Sequence, residues 1–75
     1  MPAKGKVMMK IKFNSNQIDV QSQSTVKEVL HSQGIFSNKG VAVALNQAVL
    51  AFDLWENTKL KENDALIVIT ATAGG

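Results

Sequence analysis

The residues of this chain best placed to do chemistry at a single point are the last two, Gly74-Gly75, closing the small-residue run Ala71-Thr72-Ala73-Gly74-Gly75. The chemistry on offer is that of a presented carboxylate. Five extended residues reach about 17 Å from a folded body. Glycine has no Cβ, so the final two can thread a slot too narrow for side chains. Chain ends are also commonly small and frayed, and the tail alone does not separate the two readings. No cysteine is present, so the chain holds no thiolate for metal binding, disulfides or acyl transfer of its own. His31 is the single histidine, and its helical phase sets it opposite the apolar arc of its segment, with no carboxylate patterned around it. No nucleophile dyad, acid-base pair or phosphate loop is legible, which argues against an enzyme.

The elements that would carry the tail come next. Leu66-Ile67-Val68-Ile69 is apolar and β-branched, as a strand requires, and the strand expected over Ala65 to Thr70 runs straight into the tail. Alternation leaves two arrangements open. Either Leu66 and Val68 face a core while Ile67 and Ile69 form an exposed patch for a docking partner, or the strand is covered on both faces.

Upstream, Val7, Met9, Ile11 and Phe13 alternate with Met8, Lys10 and Lys12, a strand with one wet face. Asn14-Ser15-Asn16 is a turn cluster, and Ile18 and Val20 continue the alternation into a hairpin partner. Thr25-Val26-Lys27-Glu28 has the spacing of a capping box, and Val26, Val29 and Leu30 line one arc of a helix of two to three turns. Gly34 suits the left-handed position that ends such a helix, with Ile35 or Phe36 folding back. Val41 to Leu45 is a continuous apolar run, read as a strand buried on both faces. Asn46-Gln47 can turn it into Ala48-Val49-Leu50-Ala51, although the glycine usual in such turns is missing and the turn type stays open. Phe52 to Trp55 suits a short irregular or 3₁₀ turn in which Trp55 plugs the edge of the core. Lys59-Leu60 is read as a brief edge segment, and Lys61 to Asp64 as a charged turn.

Strand, strand, helix, strand, strand, short turn, strand is an α+β order: a mixed sheet of four to five strands packed on one main helix. The last strand is expected beside the first, in parallel, near the middle. Seventy-five residues allow one domain with a thin core. It is divided as a disordered lead-in over 1–7, a folded body over 8–70 and a flexible tail over 71–75.

The net charge of +2 comes from eight lysines and no arginine against six acids. The aromatics are scattered in core-like contexts, not interleaved with arginines, so no nucleic-acid partner is expected. No apolar run approaches the roughly 18 residues of a membrane span, and the basic first dozen residues precede no signal-like apolar region. A cytoplasmic monomer is expected.

The strand order and the Gly-Gly ending together resemble the ubiquitin-like β-grasp proteins. Within that group they resemble most the sulfur-carrier (ThiS) family of thiamine biosynthesis. Met9-Lys10-Ile11-Lys12-Phe13-Asn14, Ser24 to Leu30 and Val41 to Asn46 carry the likeness, joined by Leu54-Trp55 and Asn63-Asp64. Gln47 and Asn63 stand where that family has turn glycines, though asparagine still takes left-handed angles.

The resemblance implies a carrier and substrate protein without catalysis of its own. It implies that the Gly75 carboxylate is adenylated and then converted to a thiocarboxylate, while Ala71, Thr72, Ala73 and Gly74 thread the partner's active site. The implied partners are a ThiF-like adenylating enzyme, which would use the ATP and Mg²⁺, a ThiG-like thiazole synthase and a sulfur-donor protein. No cofactor is expected on the chain itself. Ile67 and Ile69 are the candidate docking residues. A related carrier for molybdopterin synthesis, a ubiquitin-like modifier and a non-covalent β-grasp interaction module remain open as alternatives.

Overall fold

Met9 and Ile11 point inward along β1 (Met8–Phe13) while Met8, Lys10 and Lys12 point to solvent, the period of two expected for a strand with one covered face. The computed structural model describes residues 7–71. The expected lead-in over 1–7 lies outside them save for Val7, whose carbonyl accepts the Ser22 N–H at 2.7 Å.

β1 pairs antiparallel with β2 (Asn16–Gln21), Phe13 opposite Asn16. The two turn residues, Asn14 and Ser15, both have positive φ, 50° and 75°. That is the primed turn whose twist matches a two-residue hairpin. The second hairpin repeats the device. β3 (Val41–Leu45) turns at Asn46 and Gln47, φ 51° and 74°, into β4 (Ala48–Val49). The turn type left open for want of glycine is therefore settled by asparagine at the first position, which tolerates left-handed angles. β4 is two residues shorter than expected. Leu50 leaves the strand to tuck against the core, its N–H donating to the Val43 carbonyl at 2.8 Å.

α1 (Val26–Ser32) begins as its sequence dictates. The Glu28 N–H donates to Thr25 Oγ1 at 3.2 Å, and the Thr25 N–H donates to Glu28 Oε1 at 2.9 Å. It ends in a Schellman pattern: the Ile35 N–H reaches the Leu30 carbonyl (2.9 Å) and the Gly34 N–H the His31 carbonyl (3.0 Å), with Gly34 at φ 86°. Ile35 folds back to pack on the core, and Phe36 lies outside it against the His31 ring.

α2 (Phe52–Trp55) is a single α turn where an irregular or 3₁₀ turn was expected. Trp55 closes the core edge at 5% exposure, its Nε1–H donating to the Leu50 carbonyl. Leu60 is buried, and its N–H donates to the Ser24 carbonyl, tying the edge segment to the start of α1.

The sheet order is β2-β1-β5-β3-β4, with β5 (Ala65–Thr70) in the middle, parallel to β1 and antiparallel to β3. α1 covers one face only. Val26, Val29 and Leu30 meet Met9, Ile11, Val20, Val43, Leu66 and Val68 in a single core. Burying one such side chain fully is worth about 1.5–3 kcal/mol. The open second face corrects one expectation. β3 is not buried on both sides: Val43 is buried, but Ala42 is exposed and Ala44 only half-buried. Among the described residues no element lies over that side, so the run of small apolar residues forms a wet surface.

Candidate functional site

The central position of β5 sets the geometry at the root of the tail. Thr70 leads directly to Ala71, the last described residue, and the two edges of the strand are held differently there. On the β3 side the ladder runs to its end. Val41 lies opposite Thr70, and beyond it the Ala71 N–H donates to the Gly40 carbonyl at 2.7 Å. Gly40 has φ 67°, and a Cβ there would sit 3.2 Å from the Ala71 carbonyl oxygen, so conformation and space both call for glycine.

On the β1 side, strand pairing stops at Phe13 opposite Leu66, because the chain turns away at Asn14. Asn14 then takes the place of the missing strand. Its N–H donates to the Leu66 carbonyl at 2.9 Å. Its carboxamide spans Val68: the Val68 N–H donates to Oδ1 at 2.7 Å and Nδ2 donates to the Val68 carbonyl at 3.1 Å. A side chain thus satisfies both backbone groups that a strand neighbour would have taken.

The outward face of β5 presents Ile67 and Ile69, 43% and 64% exposed. Residues directly opposite in an antiparallel pair share a face. Ile67 lies opposite Ala44, which lies opposite Val49, so these three form a row across β5, β3 and β4. Ile69 and Ala42 form a second row. The alanines keep the surface low between the isoleucines and Val49. Lys10 and Lys12 emerge on the same side of the sheet from β1, and Lys10 pairs with Asp19 at 3.0 Å. That exposed pair contributes little to stability, about 0–1 kcal/mol.

Of the residues singled out from sequence, Ile67, Ile69 and Ala71 lie together at the end of β5. Thr72, Ala73, Gly74 and Gly75 lie outside the described residues. Sequence reasoning missed Ala42, Ala44 and Val49 as parts of the exposed face. The signal was present in the alternation Val41-Ala42-Val43-Ala44-Leu45, where every second residue is small. It also missed the pairing of Asn14 with Val68, for which the sequence shows only a turn residue. His31 is exposed beside Phe36 at the end of α1. Among the described residues no group of three or more potential ligands converges on a metal site. None of their helices is long and apolar enough to cross a membrane.

The ThiS family model matches residues 6–75. Among solved structures, the chain is similar to a thiamine biosynthesis protein (ThiS) from Geobacter metallireducens at 26% identity. The match covers 89% of this chain and all of that one, with a TM-score of 0.75. None of the curated proteins compared with it by sequence matches. The family match spans nearly the whole chain, and the β-grasp order of strands around α1 is shared with that solved structure. The chain belongs to the ThiS family.

Proposed function

We propose that the sulfur carried by this ThiS-family protein is held at the Gly75 carbonyl and that the sheet face around Ile67 and Ile69 docks the enzymes that load and unload it. The observation that supports the reading is the placement of β5. The strand that presents the exposed isoleucines is the central strand of the sheet and runs without interruption into Ala71. The proposed docking surface and the root of the carrier segment therefore share one strand.

A carboxylate is a poor electrophile because its oxyanion is a poor leaving group. In the proposed cycle a Gly75 carboxylate oxygen attacks the α-phosphorus of ATP on a ThiF-like adenylating enzyme. The bond between the α- and β-phosphates breaks and pyrophosphate leaves. The acyl-adenylate is then attacked at its carbonyl carbon by hydrosulfide released from a sulfur-donor protein, the C–O bond to AMP breaks and AMP departs, and the thiocarboxylate that results passes its sulfur to a ThiG-like thiazole synthase. ATP, Mg²⁺ and the catalytic groups belong to the partners in this scheme. The chain contributes a carbonyl carbon without a flanking side chain at Gly75, and Gly74, Ala73, Thr72 and Ala71 as a slender approach to it. A carrier of this kind is a substrate protein, monomeric when free and acting in the cytoplasm.

The apolar centre at Ile67, Ile69 and Val49 is the type of patch that marks a protein interface, and Lys10 and Lys12 on one flank suit a partner with acidic residues at its rim. The test is intact-mass analysis after incubation with the adenylating enzyme, ATP and a sulfur donor. The expected result is replacement of one oxygen by sulfur, localised to Gly75 and lost when Gly75 is deleted. An unchanged mass with active partners would overturn the reading.

A further inference from the structure

We infer that Asn14 is a positioning residue for the acyl chemistry at the chain's end, acting through Val68 to fix the direction in which the tail leaves the sheet. The inference rests on the proposed activation of Gly75 and assigns a role to a residue 54 positions before Val68 in the chain.

A strand held along only one edge can swing about that edge. At its last residues β5 is held by β3 on one side, through Val41 opposite Thr70 and the Ala71–Gly40 bond. Its other neighbour, β1, has already turned away at Asn14. The carboxamide of Asn14 supplies the second edge, with one acceptor and one donor from a single plane meeting the N–H and C=O of one residue. Only Ile69 and Thr70 separate that clamp from Ala71, and the Gly40 bond holds Ala71 from the opposite side. The direction of the tail's first residue is thereby set from both edges.

Only asparagine meets all the requirements at this position. Aspartate offers acceptors alone and would set a carboxylate oxygen against the Val68 carbonyl. Glutamine is one methylene longer. Alanine and serine leave both Val68 groups without this partner, and a φ of 50° favours asparagine or glycine over either.

Among the described residues the hydrogen bonds of Asn14 to β5 go to Leu66 and Val68 and to none of Ile67, Ile69 or Ala71, so its loss separates docking from delivery. Ile67 and Ile69 remain on a strand still paired to β3, and affinity for the adenylating enzyme should persist. The fraction of docked molecules whose terminal carboxylate reaches the reacting position should fall. Small misplacements of reacting groups are costly in rate, up to about a hundredfold for 1 Å.

The experiment uses the full chain with the adenylating enzyme and follows ATP–pyrophosphate exchange as a function of carrier concentration. Asn14→Gly keeps the left-handed turn and removes the carboxamide, and Asn14→Asp keeps its shape and removes the donor. Both should lower kcat by about tenfold or more with KM changed less than about twofold. Amide hydrogen exchange should quicken at Val68 and Ala71 but not at Val43, a readout that does not depend on the partner. Wild-type kcat in both variants, or unchanged protection at Val68, would overturn the role of Asn14 and leave activation at Gly75 standing. No exchange with the wild-type chain would overturn activation at Gly75 and this role with it. Asn14→Asp covers the case in which Asn14→Gly fails to fold.

Discussion

The carboxamide of Asn46 lies against the buried carboxylate of Asp64, Nδ2 donating to Oδ1 at 3.0 Å. Oδ1 of the same carboxamide accepts the Ala65 N–H at 2.9 Å, and Oδ2 of Asp64 accepts the Lys61 N–H at 2.7 Å. The backbone carbonyl of Asp64 takes the Lys12 N–H. The turn after β3, the start of β5 and the end of β1 are thus joined at one buried acid. Strand β5 is aligned at its origin here, as it is at its far end by Asn14 and Gly40.

Removing that acid should be costly, since it strands donors in a covered place. Asp64→Ala is expected to lower stability by about 2–3 kcal/mol. Asn46→Gly keeps the left-handed turn and should cost about 1 kcal/mol. In a double-mutant cycle measured by urea unfolding, the two should fall short of additivity by 0.5 kcal/mol or more. Additivity within about 0.3 kcal/mol would show the pair to be uncoupled.

The start of α1 should be equally measurable. Thr25→Ala breaks the capping box and is expected to cost about 1 kcal/mol, a fall in Tm of roughly 4–8 °C for a domain of this size. Thermal melts followed by circular dichroism check it.

Gly40→Ala meets two obstacles, a φ of 67° and a Cβ 3.2 Å from the Ala71 carbonyl oxygen. A loss of about 1–2 kcal/mol is expected. It should be accompanied by faster amide exchange at Ala71, because the bond to the Gly40 carbonyl must lengthen. Unaltered exchange there would mean the tail's root does not depend on this contact.

Truncating the face should spare the fold and weaken docking. Ile67→Ala and Ile69→Ala remove side chains that are 43% and 64% exposed, so stability should move by no more than about 0.5–1 kcal/mol. Affinity for the adenylating enzyme, measured by calorimetry, should fall about fivefold or more for at least one of them. Wild-type affinity in the double variant would move the docking site elsewhere.

Gly74→Val tests the tail itself. The substitution lies beyond β5, so the melt should be unchanged while pyrophosphate exchange slows by an order of magnitude or more. Normal exchange would remove the requirement for a slender approach to Gly75.

Features that depend on neighbours a few residues apart were legible in the sequence. The capping box at Thr25 and Glu28, the left-handed end at Gly34, the turns at Asn14 and Asn46 and the alternation of β1 each follow from spacing within one turn or one strand. Their energetics are local, and so is their signature. The order of these elements was enough to imply the parallel neighbour of β1 and the β-grasp arrangement, because few topologies place one helix between two hairpins.

Other features were decided only by the tertiary structure. Alternation places Ile67 and Ile69 opposite Leu66 and Val68, but it cannot say whether a second layer covers them. That depends on α1 lying across one face and no described element lying across the other. The row Val49–Ala44–Ile67 exists only once three strands have found their register. Asn14 became a partner for Val68 because β1 ends where β5 continues, leaving an N–H and a C=O for a side chain 54 residues away. Turn residues advertise their backbone angles in sequence. The distant groups their side chains will satisfy are set by which strand edges folding leaves bare.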